Sequence, residues 1–186
     1  ISGQTHDNYT LVKGLTAKSP LIRNGDLMRF SEGYPYLWKD GGHTFGIDND
    51  GSIEQLISWY NSTGEKGIVA FQWHWCSPTG GSAGTNTFYT DYTVFDITKA
   101  VTPGTEEYDL IIRDIDTIAY RLRKFQDAGI PVLWRPLHEA GGGWFWWGAK
   151  GPKACVELYN IMFDRMKNHH QLHNLIWVWS TPEFEW

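Results

Sequence analysis

The residues best placed to do chemistry lie in one stretch, "PVLWRPLHEAGGGWFWWGAKG" at 131–151. An apolar run delivers His138 and Glu139, three glycines follow, and then come Trp144, Phe145, Trp146 and Trp147. A carboxyl set among apolar rings at the end of a strand is suited to general-acid work. Glycines beside it let backbone and ligand approach closely. Aromatic faces offer apolar area to the C–H side of a sugar ring, while polar edges meet its hydroxyls. Plainer roles are a Glu139–Arg135 ion pair and rings packed within their own loop. Strand alternation puts Arg135 on the side of Leu137 and Glu139, where it could orient Glu139 or hold a second carboxylate. Four adjacent rings are too many to be all core, so an exposed aromatic platform is expected.

A second cluster, "FQWHWCSPTGG", places His74 and Trp75 just before polar residues. Both clusters end apolar runs: "GIVAFQWHW" (67–75), "IPVLWRPLHE" (130–139) and "NLIWVWS" (174–180). Short, β-branched or aromatic and nearly continuous in hydrophobicity, these read as strands buried on both faces. Between them lie helical patterns. One carries Leu110, Ile111, Ile115, Ile118, Leu122 and Phe125 and stops at Gly129; another carries Val156, Tyr159, Met162, Phe163 and Met166. A shorter one, 52–67, starts with Ser52 as its N-cap. Strands alternating with helices predict parallel βαβ units, and functional clusters at successive strand ends point to a (β/α)8 barrel. A doubly wound sheet is the alternative, but "GGSAGT" lacks the GxGxxG spacing of its phosphate loop.

Composition narrows the partners. The 186 residues carry a formal charge of -5, with 41% hydrophobic and 16% aromatic residues. One domain with a sizeable core fits these numbers. Without a basic arm or patch, nucleic acid and anionic membranes are not expected, and a neutral ligand is favoured. No run reaches the roughly 18 apolar residues that a membrane span needs. Cys76 and Cys155 lie outside any CxxC pattern and read as buried thiols, a single disulfide being the other option. His169, His170 and His173 read as a solvated helix end, so neither metal nor cofactor is expected.

The segment "LWRPLHEAGGGWFWWG" resembles the acid/base segment of glycoside hydrolase family 26, whose members are mostly endo-β-1,4-mannanases. "ISGQ", "FQWHWCSP" and "IWVWSTPE" are similar to that family's strand-one, strand-three and strand-five segments. The resemblance implies a retaining barrel hydrolase acting on mannan, galactomannan or glucomannan. Glu139 then matches the acid/base, His138 the histidine beside it, Trp144 the ring bordering the sugar, and His74 a histidine lining the same cleft; Trp75 and Trp147 join them as substrate contacts. It also implies export, since a polysaccharide is met outside the cytoplasm.

The chain departs from the family at its end. It stops after strand five, whereas such barrels take about 250 residues. Residues 1–186 are therefore expected to be a single catalytic domain, incomplete at the C-terminus, with the remaining strands and the nucleophile elsewhere, on another chain or removed by cleavage. Glu183 and Glu185 are the local carboxylates and read as loop or substrate-contact residues. Mixed-linkage β-glucan or β-1,3-xylan as substrate, or a non-catalytic polysaccharide-binding barrel fragment, are the alternatives.

Overall fold

The computed structural model describes residues 3–33, 38–40, 43–45, 51–81 and 86–180. Five parallel strands form its main sheet: β1 (Gly3–Thr5), β2 (Ile22–Asp26), β5 (Ile68–Gln72), β6 (Val132–Arg135) and β7 (Leu175–Trp177). They lie side by side in chain order, and a short antiparallel pair, β3 (Trp38–Asp40) and β4 (His43–Phe45), forms a separate ribbon. A doubly wound sheet would reverse its order near the first strand. This one never does, so it curls as part of a barrel.

Each crossover between parallel strands contains a helix: α1 (His6–Thr16), α2 (Ser52–Ser62), α4 (Glu106–Asp127) and α5 (Pro152–Asp164), with a short α3 (Ile97–Ala100) ahead of α4. Helix α4 begins where Thr105 Oγ1 accepts the Tyr108 N–H at 3.1 Å, and three acidic residues in its first turn suit the positive end of the helix dipole. It ends with Gly129 in the left-handed region, as the sequence predicts. Its stripe of Ile111, Ile115, Ile118, Leu122 and Phe125 is wholly buried, each side chain contributing roughly 1.5–3 kcal/mol of transfer free energy. Two helical expectations change. Gly51, not Ser52, caps α2, and the buried stripe of α5 is Cys155, Leu158, Met162 and Met166, which leaves Val156 exposed. A π-helical turn, Arg165–His169, follows α5. His169 and His173 are exposed, as expected of a solvated helix end, whereas His170 is held, its Nε2 2.7 Å from Asp116 on α4, which Arg165 also grips.

The strands are not buried on both faces. In β5 and β6 burial alternates residue by residue: Val69, Phe71, Val132 and Trp134 are closed off, while Ala70, Gln72, Leu133 and Arg135 stay partly open. At the carboxyl end of this open face, pairing puts Asp26, Gln72 and Arg135 in one row. Arg135 Nη1–H donates to Gln72 Oε1 at 3.1 Å, and Gln72 Nε2–H donates to Asp26 Oδ2 at 3.2 Å. Cys76 and Cys155 are separate buried thiols, each pushed up to about 12 by burial.

Candidate active site

The site forms where β2, β5 and β6 deliver Asp26, His74 and the pair His138–Glu139. Past Arg135 the chain leaves strand geometry, with Leu137 at φ 50° and Glu139 at φ 57°. Two non-glycine residues in the left-handed region are costly, about 1–3 kcal/mol each, and survive only where the surroundings fix them. Here the Glu139 N–H donates to the Ser180 carbonyl at 3.0 Å, and Trp147 Nε1–H donates to the His138 carbonyl at 3.0 Å. This twist also breaks the alternation that would put Arg135 beside Glu139; Arg135 serves the polar row instead.

Of the four consecutive rings only Trp144 reaches the surface, 45% exposed, and its Nε1–H donates to Glu139 Oε2 at 3.3 Å. Gly142 makes this possible. A Cβ there would lie 1.9 Å from the Trp144 ring, so the ring rests directly on glycine backbone. Phe145, Trp146 and Trp147 turn inward. Phe145 stacks on Trp147 at 4.5 Å and meets the rings of His74 and His138 edge-on.

Trp75 and Trp147 are corrections to the expected substrate contacts, since neither has exposed surface. Trp75 stacks on Trp73 at 4.1 Å and donates its Nε1–H to Asp114 Oδ2 at 2.8 Å; its carbonyl accepts Trp146 Nε1–H at 2.7 Å. An indole in a core needs an acceptor, and these two tryptophans find theirs within the fold. Burial pushes Asp114 up to about 6, against the hydrogen bonds from Trp75 and Arg113.

His74 and His138 do come together, their Nε2 atoms 3.2 Å apart. His74 Nδ1 is in close contact with Asp26 Oδ2. Burial would raise the Asp26 carboxyl, but the His74 side chain and the backbone N–H groups of His74 and Met28 hold it below the usual carboxylate range. His138 is buried and neutral, brought down to about 4 by desolvation first and to a smaller extent by its neighbours His74 and Arg135. Asp26 was not legible as a functional residue. Its strand, "IRNGD", has a single apolar residue and no hydrophobic run. Trp179, 43% exposed beyond β7 and edge-on to Tyr159 of α5, is a further ring near these strand ends. Glu183 and Glu185 lie outside the described residues.

A carboxylate beside an exposed indole thus stands at the carboxyl ends of parallel strands. The sequence profile of glycosyl hydrolase family 26 matches residues 41–186. The chain belongs to glycosyl hydrolase family 26. It is 43% identical over 177 residues, 92% of the chain, to a mannan endo-1,4-beta-mannosidase of Thermothelomyces thermophilus, of which it covers 34%. It is 41% identical to mannan endo-1,4-beta-mannosidase A of a Piromyces species, with 89% of the chain matched to 25% of that protein. Among solved structures of the family, the GH26-CBM35 β-(1,4)-mannanase of Podospora anserina superposes with a TM-score of 0.83 at 41% identity, over 96% of this chain and 39% of that one. A β-mannanase from a symbiotic protist of the termite Reticulitermes speratus, solved with gluco-manno-oligosaccharide, superposes at 0.79 with 33% identity, over 96% and 56% of the two chains. These relatives are (β/α)8 barrels, and the five strands here form an arc of the same family 26 barrel. The chain spans about a third of the length of the Thermothelomyces relative and less of the Piromyces one.

Proposed function

We propose that this family 26 chain is the acid/base-bearing part of an endo-acting, retaining β-1,4-mannanase. The observation that carries the reading is Glu139, its carboxylate bound by the exposed indole of Trp144 where β6 ends. A sugar lying on that ring brings its glycosidic oxygen to the carboxyl. Glu139 gives the oxygen its proton as the bond breaks; a second carboxylate attacks the anomeric carbon; Glu139 then takes a proton from the incoming water. That second carboxylate has to stand about 5 to 5.5 Å from the first. It comes from the strands that complete the barrel in the full-length protein, residues 1–186 being one part of a single catalytic domain. Beneath the sugar, His74 and His138 shape the floor of the cleft rather than its walls.

Mannan-type polymers are the proposed substrates, supported by the names of the relatives and by the exposed indole of Trp144 beside Glu139. Such polymers are met outside the cytoplasm, which is the proposed place of action. Among the described residues, no helix is long and apolar enough to cross a membrane. The test is release of reducing ends by the full-length protein from mannan, galactomannan, glucomannan, mixed-linkage β-glucan and β-1,3-xylan. Fastest release from the mannans supports the reading. Preference for either of the last two polymers overturns the substrate, and binding without release overturns the hydrolase.

A further inference from the structure

Both ring nitrogens of His74 are spent inside the protein, although its side chain is 27% exposed at the cleft. Nδ1 faces Asp26 Oδ2 and Nε2 faces His138 Nε2. Direct hydrogen bonding to a sugar is therefore not what this histidine is arranged to do.

The donors and acceptors along this line can be assigned. Asp26 Oδ1 accepts the backbone N–H of Met28 at 2.9 Å and of His74 at 3.1 Å. Oδ2 accepts the Gln72 amide, whose orientation is fixed because its own Oε1 accepts from Arg135. A carboxylate can only accept, so His74 must carry its proton on Nδ1. In the neutral ring Nε2 is then a lone pair, and the proton between the two histidines belongs to His138 Nε2. The assignment agrees with the far side of His138. Its Nδ1 is buried with no hydrogen-bond partner among the described residues. An unpaired lone pair is a smaller cost there than an unpaired N–H.

We propose that Asp26 is a positioning residue for Glu139: it fixes His74 as the Nδ1–H tautomer, His74 thereby fixes His138 as the Nε2–H tautomer, and the clamped His138 ring holds the strained backbone from which Glu139 projects. His138 sits between the two left-handed residues Leu137 and Glu139. Its ring abuts the Phe145–Trp147 stack, edge-on to Phe145 at 5.3 Å and tilted against Trp147 at 5.7 Å, and the bond to His74 is the polar contact that sets its rotation. The inference rests on Glu139 being the acid/base, as proposed above.

Asp26→Asn tests it with almost no change of shape. The two backbone N–H groups at Oδ1 keep the amide oxygen in place, so the new NH2 faces His74 Nδ1 and the Gln72 N–H loses its acceptor. His74 must then accept there and move its proton to Nε2, and His138 must move its own to Nδ1. Nitrogen-15 shifts of the histidine rings in the full-length protein report the tautomers directly. In the unmodified protein His74 is expected as Nδ1–H and His138 as Nε2–H; in Asp26→Asn both are expected inverted, with kcat on mannan lowered roughly tenfold or more and KM little changed. Finding the opposite tautomers in the unmodified protein overturns the proposal even if the variant does not fold. Inverted tautomers with unchanged kcat overturn the positioning role. The ring shifts are read without substrate, so failure of the mannanase reading, seen as absence of turnover in the unmodified protein, stays separate.

Discussion

Trp144 and Gly142 act as one device at the residue scale. The indole both donates to Glu139 and offers the exposed face, and it can lie where it does because residue 142 has no Cβ. Trp144→Ala is expected to lower kcat/KM on mannan roughly tenfold or more, about 1.4 kcal/mol for each factor of ten. Gly142→Ala, although it adds a single methyl group far smaller than a ring, is expected to reproduce most of that loss by displacing the indole. Steady-state kinetics on both variants, with melting temperatures alongside, check the pair. If Gly142→Ala keeps full activity, the ring is not set by the glycine. From sequence, His138, Glu139 and Trp144 were legible as a cluster because strand, glycine and ring signals coincide. Trp75 and Trp147 were misplaced because sequence spacing cannot say which of several adjacent rings turns inward. The acceptors that draw them in, Asp114 and the His138 carbonyl, are tertiary partners.

At the scale of elements, β5, β6, β7, α2, α4 and α5 could be read because long apolar patterns mark them. The pair β2 and α1 could not, being largely polar. That failure hid Asp26, since a carboxylate at a strand end carries no signal until the strand itself is seen. Two elements also set opposing responses to acid. His138, beyond β6, has an ordinary value of 6.5 brought down to about 4, so the unfolded chain takes up its proton first and stability falls as pH drops through that window. Asp114, on α4, goes from 3.8 up to about 6, so the folded protein takes up its proton first and stability gains over nearly the same range. The two largely offset each other. Asp114→Asn is expected to remove the gain and leave the loss, giving a melting temperature that falls more steeply between pH 6 and pH 4 than in the unmodified protein. Parallel profiles for the two proteins would contradict it.

On the scale of the whole molecule, the strand order is the feature that carries the barrel. Among the described residues β1 and β7 each pair with one neighbour, and the sheet face holding Ala70, Leu133 and the 55% exposed Ile176 is the one a barrel turns inward. Such a face and such edges call for further strands. Glu139 stands at their carboxyl end, where barrel enzymes keep their chemistry, and its proposed role there is to deliver a proton. The most direct measurement compares the full-length protein with its Glu139→Ala variant on mannan and on an aryl β-mannoside whose leaving group departs without protonation. Turnover of mannan is expected nearly to disappear while release of the activated leaving group is largely kept. Equal loss on both substrates would show that Glu139 is not the acid.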